Sequence, residues 1–235
     1  MPYLKILLIR HAESLGNIQK RMEGQSSTDL TDRGRQQAKQ LARSLVASAS
    51  TYLASSQGAS WPTHLYTSPL SRAEQTSLYL AEALQQADRP VRTIVDSQLQ
   101  EIHQGIFQGL TWPEAQAQFP KLCAQLMSSL SWQPVPGAES PLAARIRSRD
   151  WLQQILKTHQ PGDFVWAVSH AGLMLHLIAE IMGCDRTWKT TIDHTAVFEF
   201  WLSQVLYKPA TERSHLDLFN PEQWILKRFN QVLIE

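Results

Sequence analysis

Two histidines set the chemistry open to this chain. Leu7-Leu8-Ile9 is a short apolar run that ends in Arg10-His11, after which the chain turns polar through Glu13, Ser14 and Asn17. Phe164-Val165-Trp166-Ala167-Val168 runs likewise into Ser169-His170-Ala171-Gly172. Each reads as a buried strand that delivers an imidazole to the rim of a sheet, the first with a guanidinium beside it. Ser68 and Arg72 follow a third apolar segment, and Glu101 follows a fourth. In open α/β sheets, ligands bind outside the carboxyl ends of the strands, so these groups are expected around one site.

Their types suit a phosphomonoester. Arginine forks bind phosphate oxygens in pairs, and the helix N-termini expected after His11 and His170 would add amides and a favourable dipole. A neutral imidazole attacks without first losing a proton, and neighbouring arginines disfavour imidazolium. The leaving oxygen needs a proton, and Glu101 is the acidic residue near the third strand end that fits.

The elements that position these groups read as alternating strands and helices. Strands are predicted at 4–10, 63–67, 91–95, 163–169, 196–202 and 224–229. Near-continuous apolar runs such as Ile6 to Ile9 suit strands covered on both faces, whereas the alternation in Ala196 to Leu202 suits a strand nearer an edge. Helical stripes run through 35–46, with Thr31 and Asp32 as caps, and through 71–87. Thr111-Trp112-Pro113-Glu114 reads as a capping box, Ser140-Pro141 as a start for a helix to Thr158, and a last helix should stop at Gly183. The pattern implies a three-layer α/β fold with a mostly parallel central sheet of about six strands flanked by helices. All 235 residues are expected to form one domain, with the proline-rich stretch at about 105–140 inserted as a lid over the strand ends.

Composition narrows the partners. The formal net charge is +1, with 43% apolar and 18% charged residues, so no global field draws the protein onto nucleic acid or anionic lipid. No stretch approaches a membrane span, and the run from Ile6 to Ile9 is too short for a signal sequence. A cytoplasmic protein is expected, with Cys123 and Cys184 as two buried thiols in place of a disulfide. The sequence leaves the oligomeric state open, a homodimer included.

The blocks as a set resemble the histidine phosphatase superfamily, the phosphoglycerate-mutase-like enzymes named for an Arg-His-Gly motif. Five blocks carry the likeness in order: Arg10-His11-Ala12-Glu13-Ser14 with Asn17; Leu30-Thr31-Asp32-Arg33-Gly34; Ser68-Pro69-Leu70-Ser71-Arg72-Ala73-Glu74; Glu101 to Gly109; and Ser169-His170-Ala171-Gly172. The resemblance implies that His11 is the phosphorylated nucleophile. It places Arg10, Arg72 and His170 in the phosphate pocket and makes Glu101 the proton donor. It adds Asn17, Ser14 and His194 as substrate contacts, His194 from the start of the fifth strand. It implies no metal and no organic cofactor. Two departures stand out: Ala12 replaces the usual glycine, and Gly137-Ala138-Glu139-Ser140 is one residue longer than the family's Gly-Glu-Ser, which leaves the place of Glu139 in the pocket open.

The expected reaction is hydrolysis of a small phosphorylated metabolite through phosphohistidine. The alternatives are a cofactor-dependent phosphoglycerate mutase and a catalytically idle phospho-ligand binder. Between Thr111 and Ser131 the only cation is Lys121, and that shortage favours the phosphatase. His64, His159, His176 and His215 show no partners in the sequence, His170 and His176 lack a metal-ligand spacing, and neither His-Glu-x-x-His nor Cys-x-x-Cys occurs, so no metal site is expected. Trp112 and Trp132 are read as packing residues of the lid.

Overall fold

A computed structural model describes residues 3–51, 60–129, 133–185, 187, 190–203 and 224–233. Six strands form one sheet: β1 (Tyr3–Arg10), β2 (His64–Thr67), β3 (Thr93–Val95), β4 (Phe164–Ser169), β5 (Val197–Ser203) and β6 (Trp224–Gln231). Their order is β3-β2-β4-β1-β5-β6. The first four strands pair in parallel, while β5 runs antiparallel to β1 and β6 antiparallel to β5. β4 lies between β1 and β2, with Arg10 opposite Ser169 and Thr67 opposite Val168. That register brings the ends of three strands, far apart in sequence, to one rim.

Two helical layers cover the sheet. Alternate residues of a strand face opposite sides, and β1 divides accordingly. Leu4, Ile6 and Leu8 pack with Trp151, Leu152 and Ile155 of α6 (Pro141–Thr158) and with Leu173, Met174 and Leu177 of α7 (Ala171–Ile181). Leu7 and Ile9 pack with Leu41 and Leu45 of α2 (Asp32–Thr51) and with Ala73, Leu80 and Leu84 of α3 (Ser71–Gln86). The three-layer, mostly parallel sandwich expected from the sequence is therefore the observed one. Each aliphatic side chain so enclosed contributes about 1.5–3 kcal/mol relative to exposure, which fixes the sheet as the rigid base of the site.

The predicted starts hold at three helices. Thr111 accepts from the Glu114 amide while Glu114 reaches back to the Thr111 amide, and Ser140 caps α6 ahead of Pro141. Thr31 Oγ1 accepts from the Gly34 amide at 2.8 Å and so caps the start of α2.

β5 lies next to the edge strand β6, as its alternating pattern suggests, and is buried along nearly all of its length. Its one charge, Glu199, accepts from Trp201 Nε1 at 2.6 Å and pairs with Arg228 of β6 at 2.9 Å, which satisfies it without solvent. The cysteines are both free, but Cys184 is only partly buried.

The stretch after Glu101 holds a 3₁₀ turn at Gly105–Phe107 and two short helices, α4 (Trp112–Gln118) and α5 (Pro120–Ser128). They close a small apolar cluster of Phe107, Ala115 and Cys123, joined by Met22 from the loop after β1. Arg21 of that loop donates to the Gly109 carbonyl at 2.7 Å and meets Glu114 at 3.1 Å. Trp112 packs edge-on to Phe107; Trp132 and His215 lie outside the described residues.

Candidate active site

Arg10, His11, Asn17, Glu23, Arg72 and Glu101 line one cavity of about 210 Å³ at the carboxyl ends of β1, β2 and β4. His170 stands next to His11, with 5.0 Å between ring centroids, and is not among the residues that line the cavity. The residues singled out at the strand ends, separated by up to 160 positions in the chain, thus meet at one place.

His11 is almost fully buried. Its Nδ1 lies 2.7 Å from the carbonyl oxygen of Ala12. A carbonyl only accepts, so Nδ1 carries the proton and Nε2 keeps its lone pair. Burial first, then the charges of Arg72 and Arg10, hold the imidazole well below the usual histidine range, as desolvation and like charge do. The neutral ring is therefore the form present at neutral pH. Ala12 is tolerated because its backbone has no positive φ. Its methyl packs with Leu30 and Ala38, and its amide donates to Thr76 Oγ1 at 3.1 Å.

His170 is inaccessible to solvent. Its Nε2 lies 2.8 Å from Ser68 Oγ, which accepts from the Leu70 amide at 3.3 Å. Ser68 Oγ can donate its proton to Nε2, and in that arrangement Nδ1 is the N–H of the ring. Burial, His11 and both arginines keep this ring neutral as well.

The arginines are held by their outer nitrogens. Arg10 Nη1 donates to the Ile192 carbonyl. Arg72 donates to the Ser26 and Gly24 carbonyls at 2.7 and 2.8 Å and lies 3.7 Å from Glu23. Arg10 Nε, Arg72 Nε and His170 Nδ1 are among the buried side-chain atoms of the described residues that have no hydrogen-bond partner. Buried donors are seldom left unpaired. Three such atoms close to His11 suit a tetrahedral anion with several acceptor oxygens.

Glu101 occupies the place the sequence assigned to phosphate. Its Oε1 accepts from the Ile102 and Leu173 amides at 2.9 and 3.0 Å, and its Oε2 from the Gly172 amide at 3.0 Å. The N-terminus of α7 is thus taken up by this carboxylate, which the macrodipole favours. A Cβ on Gly172 would stand 2.6 Å from Glu101 Oε1, so glycine is required for that approach. The other predicted N-terminus is the four-residue α1 (Leu15–Ile18), capped by Ser14.

The secondary contacts fall differently from expectation. Ser14 is fully buried, and its hydroxyl donates to Glu23 Oε2 at 2.8 Å while accepting from the Asn17 amide. It is a cap and a strut and does not line the cavity. Asn17 does line it; its Oδ1 accepts from the Ser14 amide and from His194 Nε2 at 2.9 Å, and its Nδ2 donates to Glu23 at 2.8 Å. His194 sits in the turn before β5 and does not open the strand, 6.2 Å from the His11 ring by centroids. Burial and Arg10 push its pKa down to about 4.

Glu139 stands away from the pocket. Both of its oxygens bond Arg147, at 2.9 and 2.7 Å, and Arg147 in turn donates to the Gln98 and Gln100 carbonyls. The longer Gly-Ala-Glu-Ser turn thereby braces the loop that carries Glu101.

Glu23 is the member that sequence reasoning missed. It is a 7% exposed carboxylate that accepts from Ser14, Asn17 and Thr28 and faces Arg72. A Cβ on Gly16 would stand 2.3 Å from it. The near-invariable cost of burying a charge was the only available cue, and it needs coordinates to apply.

The family model for the histidine phosphatase superfamily (branch 1) matches residues 6–204. A metal-independent phosphoserine phosphatase of Arabidopsis thaliana is 32% identical over 79% of this chain and 71% of its own length. A 2,3-bisphosphoglycerate-dependent phosphoglycerate mutase of Gloeobacter violaceus is 29% identical over 83% of this chain and 84% of its own. The crystal structure of a putative α-ribazole-5′-phosphate phosphatase from Escherichia coli superposes with a TM-score of 0.75 at 20% identity, covering 99% and 98% of the two chains. This chain belongs to the histidine phosphatase superfamily.

Proposed function

We propose that the protein is a phosphomonoester hydrolase that works through a phosphohistidine on His11, without a metal, on a small phosphorylated metabolite. The observation that carries this reading is the trio of unpaired buried donors, Arg10 Nε, Arg72 Nε and His170 Nδ1, around a histidine whose Nε2 holds a lone pair.

In the first step His11 Nε2 attacks phosphorus and the phosphorus–ester oxygen bond breaks. The departing oxygen takes a proton from the carboxyl group of Glu101. Oε2 is the oxygen suited to carry it, because it accepts one amide where Oε1 accepts two. In the second step Glu101 takes a proton from water, the water oxygen bonds to phosphorus, and the phosphorus–nitrogen bond returns its pair to Nε2. The arginines and His170 stabilise charge on the non-bridging oxygens in both steps, and rate comes from positioning and electrostatics. Asn17 contributes its second amide hydrogen, and His194 forms the wall behind it. The described part of the stretch at about 105–140 is read as a lid beside this pocket, within a single domain; Gln104, just ahead of it, lines the cavity.

The relatives' names include phosphoserine phosphatases and glucosyl-3-phosphoglycerate phosphatases, which supports metabolite phosphates as substrates. A second reading, phosphoglycerate mutase, is favoured by the likeness to the named Gloeobacter mutase. Against it, the cavity's cation beyond Arg10 and Arg72 is Arg21, already tied to Glu114 and Gly109. A second phosphate has little to hold it there.

The deciding experiment is a panel of metabolite phosphates assayed for phosphate release, run beside 3-phosphoglycerate plus 2,3-bisphosphoglycerate assayed for 2-phosphoglycerate. Phosphate release with no isomer is expected. Isomer formation at comparable rates would transfer the assignment to a mutase.

A further inference from the structure

We propose that His64, His159 and Asp163 bind one divalent transition-metal cation of the Zn²⁺ class at the amino-terminal edge of the sheet, opposite the phosphate pocket. The three come from different parts of the chain. His64 is the first residue of β2, Asp163 immediately precedes β4, and His159 ends α6. The parallel pairing of β2 with β4, with His64 opposite Val165, brings them together. One ligand atom from each lies within 4.8 Å of the others. His159 Nδ1 is 3.7 Å from Asp163 Oδ2, and the two imidazole rings stand 4.2 Å apart by centroids.

The donor set and its surroundings select the cation. Two imidazoles and one carboxylate suit Zn²⁺ and its neighbours and are unlike the all-oxygen shells of Mg²⁺ or Ca²⁺. Metal–donor bonds of about 2.0–2.2 Å place tetrahedral donors somewhat closer than they stand now. Partly exposed His64 and Asp163 have room to close that gap. Each imidazole also has one nitrogen engaged by a hydroxyl: Tyr66 OH at 2.9 Å from His159 Nε2, and Thr63 Oγ1 at 2.9 Å from His64 Nδ1. Asp163 Oδ2 accepts from the Gln160 amide at 3.0 Å. Ligating histidines are held in just this way by partners on the far nitrogen.

Such an ion would clamp the end of α6 to the starts of β2 and β4. It takes no part in phosphoryl transfer, and its signature is stability, because a cation that binds only the folded chain stabilises it by mass action.

The test is calorimetric titration of chelator-stripped, tag-free protein with ZnCl₂, together with the Tm. One equivalent bound and a raised Tm are expected for the wild type and for His11→Asn, with binding lost in His64→Ala and in Asp163→Asn. Tyr66→Phe, which leaves all three ligands in place, should weaken binding by about tenfold. Zn²⁺ binding that survives both His64→Ala and Asp163→Asn, or that disappears in His11→Asn, overturns the proposal. So does a wild-type protein with no heat and no Tm shift, which would leave a His159–Asp163 pair with a stacked imidazole.

Discussion

Ser68 Oγ stands 2.8 Å from His170 Nε2, and this contact decides which nitrogen of His170 can donate to a ligand. Ser68→Ala removes the acceptor's partner and frees the ring to hold its proton on Nε2. A lost hydrogen bond of this kind costs about 1 kcal/mol, so kcat should fall roughly fivefold to tenfold with the protein still folded. His170→Ala deletes the donor itself and should lower kcat by about 10²–10³. Steady-state kinetics on both variants, with circular dichroism as the folding control, checks the relation. Equal losses in the two would show that Ser68 acts through packing.

His11→Ala should abolish turnover of p-nitrophenyl phosphate. Brief exposure of the wild type to labelled substrate, then acid or alkaline quench, should leave a label that acid removes and alkali spares. A wild-type protein that turns over without acquiring label would exclude the covalent route.

Glu101→Gln should slow alkyl phosphates far more than p-nitrophenyl phosphate, whose leaving group needs little protonation. Gly172→Ala should copy that pattern, because its methyl would displace Glu101 from the start of α7. If Gly172→Ala damages both substrates alike, the glycine serves some purpose other than seating the acid.

Glu23→Gln removes a negative charge beside Arg72 while keeping the shape of the side chain. Inorganic phosphate should then inhibit more strongly, since opposite charges are no longer offset before the ligand arrives. The inhibition constant for phosphate measures this directly, and an unchanged or weaker value would mean that Glu23 mainly orients Ser14 and Asn17.

Among the described residues, five histidines, His11, His159, His170, His176 and His194, have lowered pKa values in the fold, chiefly through burial. Below the ordinary histidine value near 6.5, the unfolded chain binds more protons than the native one, so stability rises with pH across that range. Stability should therefore drop as pH falls from about 6.5 to about 4, the value reached by His194. Denaturation midpoints across that interval check the sign, and His194→Gln should flatten the slope.

The sequence carried the frame of the site and missed its second layer, for physical reasons. The runs Leu4 to Arg10 and Phe164 to Ser169 are legible because a strand covered on both faces needs unbroken apolar residues. The cluster of Arg10, His11 and His170 is legible because a guanidinium and two imidazoles interrupt those runs at their ends. Ser14 misleads, since its position in the first block says nothing of where a hydroxyl points. Glu23 and the His64–His159–Asp163 group depend on strand register and loop closure, and no local periodicity records either.

The central seat of β4 has a consequence for synthesis. Until the segment bearing His170 leaves the ribosome, β1 and β2 have nothing between them, and neither pair of charged groups has a shared wall. Phosphate affinity should therefore arise in one step as this late strand inserts. Ribosome-stalled chains of increasing length, probed with phosphate or vanadate, should acquire protection only once β4 is free to pair.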